Sequence, residues 1–321
     1  TMPLRFLLNM FNKNDIIYLV IIMELNLKKW MADVADNADL MAINVPGTHD
    51  CVTQYVQLSH FAKCQNTNIY EQLNMGVRAL DIRVQSKGSR LGMVHGITKA
   101  RNVACPFAKQ MELSDVLGHC YSFLDENPTE TVIFQFKNDS CREMELCFDN
   151  LYKTYIKKDV SRWYLKNKIP TMGEARGKIV LIRRCKMYDD SAEYAVDNAG
   201  IDFSGWVEQD TAVPDALRLD TNSLDGAVFV IQDRYKYKPK PRWSQCVKPF
   251  LDGRGAFNGE YIICYFSTAG GLLGPENNAK YINARLMEYP LDPLKYYGTM
   301  YVDFPSEKIC EKIISTNFKS E

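Results

Sequence analysis

Short apolar, β-branched runs alternate with helical patterns along most of this chain, and that alternation limits the fold more than any other feature. The runs are MAINV (41–45), VRALDIRV (77–84), LGMV (91–94), TVIFQF (131–136), KIVLI (178–182), AVFVI (227–231), YIICYF (261–266) and TMYV (299–302). Stretches 112–125 and 142–157 carry apolar residues at helical spacing. Near-continuous apolar strands separated by helices belong to a mostly parallel sheet covered on its faces. About eight of them predict an α/β chain folded as a (β/α) barrel, complete or irregular. At 321 residues, 46% of them hydrophobic, the chain is long enough for one such barrel as a single domain. No repeat and no low-complexity linker divides it.

The residues that follow each run carry the chemistry. MAINV leads into PGTHD, with His49 and Asp50; Asp81 and Arg83 sit late in VRALDIRV; LGMV runs into His95-Gly96. TVIFQF ends in Lys137, KIVLI in Arg183-Arg184, AVFVI in Gln232-Asp233-Arg234-Tyr235 and TMYV in Asp303. In a parallel barrel all C-terminal strand ends meet at one face, where active sites sit. The expected rim therefore gathers two histidines, several cations and several carboxylates.

His49 and His95 both follow strand-like runs, whereas His60 and His119 lie in helix-like surroundings and read as structural. Two imidazoles near neutral pKa can serve as a base and an acid in one reaction. Asp50 and Asp303 are candidates to fix their tautomers, although a turn or cap role for Asp50 and a solvated strand end for Asp303 fit the local sequence equally well. Asp81 and Arg83 share a strand face. A guanidinium there can hold a phosphate in a bidentate way, or it can simply pair with Asp81. No carboxylate cluster of the kind that holds Ca²⁺ or Mg²⁺ accompanies them, so no metal and no cofactor are expected.

Formal net charge is zero, from 39 basic and 39 acidic residues, which speaks against a duplex nucleic-acid partner. Ten cysteines (Cys51, Cys64, Cys105, Cys120, Cys141, Cys147, Cys185, Cys246, Cys264 and Cys310) show no CxxC pairs and read as mostly reduced, buried thiols. Residues 1–22 are set aside as an N-terminal extension. Their apolar stretch IIYLVIIM is too short to span a bilayer and lacks a small-residue cleavage site. Residues 23–321 are expected to form the barrel.

The motifs VPGTHD (45–50), GVRALDIRV (76–84), VHG (94–96), NPTETVIFQFK (127–137), EARGKIVLIRR (174–184), VIQDRY (230–235), YFSTAGG (265–271) and YVDF (301–304) resemble, in order, the catalytic X domain of phosphatidylinositol-specific phospholipase C. The likeness is to the metal-independent bacterial type, with some similarity of NIYEQLNMGVRALDIR to the protozoan enzymes that cleave glycosylphosphatidylinositol anchors. The resemblance implies a distorted, partly open (β/α)8 TIM-like barrel. It implies that His49 is the general base with Asp303 as partner, and His95 the general acid with Asp50 as partner. Arg83 then stands in for a metal, and Lys137, Arg184, Asp233 and Tyr235 bind the inositol. The implied reaction turns phosphatidylinositol, or a glycosylphosphatidylinositol anchor, into diacylglycerol and inositol 1,2-cyclic phosphate. Segment 186–225 has no counterpart in the resemblance.

The partner implied is an inositol phospholipid in a membrane surface, met by a monomer through peripheral contact. Two segments could make that contact: the aromatic and basic stretch Tyr235–Trp243, and the apolar stretch around Val52, Tyr55, Val56, Leu58 and Phe61. Family likeness suits a secreted or membrane-peripheral protein, and the cysteines a reducing compartment, so localisation stays open. Rival readings are a different barrel phosphodiesterase, such as a glycerophosphodiesterase, and a non-catalytic inositol-lipid binding module.

Overall fold

In the computed structural model, residues 25–139, 146–187, 196–211, 213 and 215–318 are described. The extension 1–22 and Cys141 lie outside them, as does part of segment 186–225. Thirteen strands are present among the described residues: β1 (Val45–Thr48), β2 (Tyr55–Val56), β3 (Ala79–Lys87), β4 (Arg90–His95), β5 (Thr98–Arg101), β6 (Val132–Asn138), β7 (Trp163–Tyr164), β8 (Ile179–Arg184), β9 (Ile201–Asp202), β10 (Leu217–Asp220), β11 (Val228–Gln232), β12 (Glu260–Tyr265) and β13 (Thr299–Val302). Parallel ladders join β9–β8–β6–β3–β1–β13–β12–β11 in that order. Among the described residues no ladder links β9 to β10 or β11, so the barrel stays open there. The expected distorted, partly open barrel is the architecture found.

Three sequence expectations need correction. LGMV is not a parallel barrel strand: β4 runs antiparallel to β3, with Met93 opposite Val84. The place beside β8 is instead taken by two two-residue parallel strands, β7 against its start and β9 against its end, each too short to show as an apolar run. MAINV is strand only from Val45 onward, because Leu40–Ala42 forms a 3-10 turn capped by the Asp39 side chain. The apolar stretch after His49 is not one helix; Tyr55–Val56 pairs with β5, and only Ser59–Ala62 is helical. The pattern at 112–125 does form a helix, Leu113–Glu126, whose Leu113, Val116, Leu117, Cys120, Phe123 and Leu124 are buried.

Core packing inside the barrel is close. A Cβ added at Gly47 in β1 would come 2.9 Å from the Tyr301 ring and 3.0 Å from the Ala79 carbonyl, so only glycine fits. At the N-terminal end of the strands the barrel is plugged. Arg78, fully buried at the entry to β3, pairs with Glu130 at 2.7 Å and donates to the carbonyls of Leu27, Lys28, Leu73 and Val77. Trp30 packs beside it and donates to the Gly76 carbonyl at 3.0 Å. A buried charge is tolerated only when its donors are spent in this way. Among the described cysteines Cys105 alone is exposed. No helix among the described residues is long and apolar enough to cross a membrane.

Candidate active site

At the opposite, C-terminal end of the strands the barrel opens into a cavity of about 470 Å³. His49, Arg83, His95, Lys137, Asp233, Tyr235 and Asp303 line it. Asp50 and Asp81 lie fully buried in its floor.

His49 follows β1, its backbone N–H donating to the Val302 carbonyl. The chain then turns sharply at Asp50, whose φ of 42° is left-handed, a conformation aspartate tolerates better than most residues. This turn drops the Asp50 carboxylate beneath the ring of His49. On the other side Asp303, at the end of β13, lies 2.7 Å from His49 Nδ1. A carboxylate can only accept, so Nδ1 carries the proton and Nε2 is left to react. Burial alone would push the imidazole down; the charges of Asp303 and Asp50 overcome it and raise His49 to about 9.

His95 reaches the same place by another route. Because β4 doubles back along β3, its end returns to the level of the Asp81–Arg83 stretch. Gly96, at φ +54°, makes the turn, and its N–H donates to Asp139 at 2.6 Å. His95 Nδ1 faces the Ala62 carbonyl at 2.9 Å and therefore also carries a proton. Its Nε2 lies 3.4 Å from Asp50 Oδ2, the atom that His49 Nε2 approaches at 3.1 Å. The two rings stand edge-on, 6.1 Å apart. Neither Asp50 oxygen makes a hydrogen bond of good geometry, so charge alone holds it.

Arg83 completes the centre. Its Nε is 3.0 Å from Asp81 and 3.2 Å from Asp50, and Nη1 is 3.7 Å from Asp139. The Asp81–Arg83 pair foreseen from shared strand parity is thus real, and Arg83 still lines the cavity. Asp81 is buried, yet the Arg83 and His49 charges hold it down to about 2. His49, Asp50 and Cys64 place their ligand atoms within 4.8 Å of one another, a group that could hold a soft metal ion. The Arg83 guanidinium already sits against the Asp50 carboxylate, and its positive charge opposes a second cation there.

Lys137 ends β6 and points into the cavity, 3.3 Å from Asp139 and 2.8 Å from Glu208. Arg184 does not line the cavity wall: its guanidinium lies 3.6 Å from the Trp206 ring centre and 3.7 Å from Glu208, with the side chain almost wholly covered. Asp233 is buried, and burial raises its carboxyl against the pull of Arg184. Tyr235 is half-buried at the mouth, and burial pushes its hydroxyl up to about 12. His60 is exposed on its short helix, and neither it nor His119 lines the cavity.

Asp139 and Glu208 were missed. Asp139 stands two residues after Lys137, the same face rule that paired Asp81 with Arg83, and that rule would have found it. Glu208 lies in an irregular stretch where no periodicity marks it. The stretch Tyr235–Trp243 also differs from expectation: Tyr237 and Trp243 are buried, and Pro239 begins a helical segment. Tyr237 and Trp243 therefore face protein rather than a membrane, while Tyr235 faces the cavity.

The open α/β barrel thus bears two histidines and an arginine over buried carboxylates at one rim. Residues 46–185 match the family model described as phosphatidylinositol-specific phospholipase C, X domain. It is 26% identical over 310 residues to the 1-phosphatidylinositol phosphodiesterase of Listeria monocytogenes, covering 90% of this chain and 85% of that protein. It is 27% identical over 219 residues to the Staphylococcus aureus protein of that name, covering 65% and 64%. The fold superposes on a solved phosphatidylinositol-specific phospholipase C from Staphylococcus aureus with TM-score 0.73 at 22% identity, covering 91% of this chain and 97% of that one. Against the Listeria monocytogenes structure the TM-score is 0.68 at 22% identity, covering 92% and 100%.

Proposed function

We propose that this protein is a phospholipase C that cleaves phosphatidylinositol by acid–base catalysis, with residues 23–321 as the catalytic unit. The observation that carries this reading is the convergence of His49 Nε2 and His95 Nε2 on Asp50, beside Arg83 and beneath an open cavity. His49 Nε2 removes the proton of the inositol 2-hydroxyl, and that oxygen attacks phosphorus. The new P–O bond forms as the P–O bond to glycerol breaks. Arg83 stabilises the charge gathered on the phosphoryl oxygens. His95, with Nδ1–H fixed on the Ala62 carbonyl, acts through Nε2 as the acid that gives a proton to the departing diacylglycerol oxygen. Both histidines have then exchanged protonation states, which sets them to open inositol 1,2-cyclic phosphate with water in the reverse sense.

Before reaction His49 must lose the proton that Asp303 and Asp50 favour, so the free site gains activity as pH rises toward about 9. Lys137, Asp233 and Tyr235 face the inositol, and Arg184 acts on it through Glu208 and Trp206. The reading is of a monomer, whose own residues supply every group named above. Phe61 lines the cavity, Leu58 precedes Phe61 on the same short segment, and Ile97, Leu272 and Leu273 directly adjoin lining residues in the chain; all five are exposed, Ile97 to 91%. These apolar tips, rather than Tyr237 and Trp243, suit contact with a lipid surface.

Phosphorus-31 NMR of phosphatidylinositol vesicles mixed with the protein, with and without EDTA, tests the reading. Loss of the lipid signal with growth of a cyclic phosphate signal, unchanged by EDTA, is expected. Binding without turnover would favour the non-catalytic module, and turnover abolished by EDTA and restored by Ca²⁺ would refute the metal-free mechanism.

A further inference from the structure

Two cations stand close together at one side of the cavity, Lys137 lining it beside Arg83 and Arg184 covered behind the Trp206 ring, and one carboxylate engages both. Glu208 Oε1 is 2.8 Å from Lys137 Nζ and 3.7 Å from Arg184 Nη2. Lys137 has a second carboxylate, Asp139, at 3.3 Å. Asp210, exposed, lines the same wall. Glu208 and Asp210 come from the stretch after β9, beyond the residues that match the X-domain model.

That stretch is fastened in place. Ser204 N–H donates to Asp202, Phe203 packs 4.6 Å from Phe229, and Trp206 lies between Arg184 and Tyr265. Gln209 is buried and accepts from the Asp233 N–H at 3.2 Å. Glu208 is thus carried into the cavity between two anchored neighbours, Trp206 and Gln209.

A neutral polyol can accept hydrogen bonds from cations that are already paired, because it asks for no net charge. A monoester phosphate on the ring does ask for it: about two negative charges would meet cations already neutralised and two further carboxylates. Like charges brought together in a part-buried site discriminate strongly between ligands of the same shape.

We propose that Glu208, supported by Asp210, determines headgroup specificity by excluding inositol rings that carry a phosphate monoester. This rests on the function proposed above. The test measures kcat/KM on mixed vesicles containing either phosphatidylinositol or its ring-phosphorylated form, for the native chain, Glu208→Gln, Asp210→Asn and the double variant. In Glu208→Gln, kcat/KM on the ring-phosphorylated lipid is expected to rise at least about tenfold, with a further rise in the double variant. No absolute rise on that lipid, including a ratio that changes only because phosphatidylinositol is cleaved more slowly, would overturn the proposal. Failure of the native chain to cleave phosphatidylinositol would instead defeat the underlying function, so the two failures are distinct.

Discussion

Two arginines on one run of chain, Arg78 and Arg83, mark the two ends of the barrel, and they differ in what meets their donors. Arg78 is closed in: one carboxylate and four carbonyls take its hydrogen bonds, and its side chain is fully buried. Arg83 is held by Asp81, Asp50 and Asp139, yet keeps a face on the cavity, as does His49 above it. The plugged end is built for stability. The open end concentrates charged groups, including an Asp50 carboxylate without a good hydrogen bond, which a purely structural site would not keep. Substitutions should therefore separate stability from activity according to the end they touch.

The largest effects belong at the open end. His49→Ala and His95→Ala should each lower turnover by ~10²–10⁴, with melting temperatures near that of the native chain. A comparable loss of folding in either variant would break the contrast. At the plugged end, Glu130→Gln leaves Arg78 buried with its charge unmatched and should cost about 3–5 kcal/mol in a denaturant titration. The rate per folded molecule should hold.

Asp303→Asn sharpens the open end further. It removes the strongest charge raising His49, so the rising limb of kcat/KM should move below about 9 while the maximal rate falls. A limb that stays in place would mean that Asp303 does not control the base. The same raised pKa makes a small contribution to stability. It is fully present below the unfolded value of about 6.5 and disappears as pH rises through about 9, so unfolding profiles of native and His49→Ala chains should converge at alkaline pH. The smallest change is expected from Ile97→Ser with Leu272→Ser, which should weaken vesicle binding several-fold and leave cleavage of a soluble headgroup ester intact.

Much of this was legible in the chain. Parallel strands showed as apolar runs because both their faces are buried, and strand parity linked Asp81 with Arg83 across one face. His49 was placed correctly because β1 is a true barrel strand. His95 also reached the site, but through an antiparallel hairpin whose reversal leaves no trace in the apolar run LGMV. Arg184 shows another limit: its strand position was clear, but the lid of Trp206 and Glu208 over it comes from residues distant in sequence. The buried Tyr237 and Trp243 looked interfacial because composition cannot tell a basic loop over lipid from a helix packed on its own barrel.

The division of work between the histidines can be tested with two substrates that differ only in their leaving group. A general acid is needed for a poor leaving group such as diacylglycerol and matters little for an activated phenol. On an inositol phosphodiester of nitrophenol, His95→Ala should regain most of the native rate, while His49→Ala should stay impaired by ~10² or more. Equal recovery of both variants, or recovery of His49→Ala alone, would contradict the assignment of His49 as base and His95 as acid.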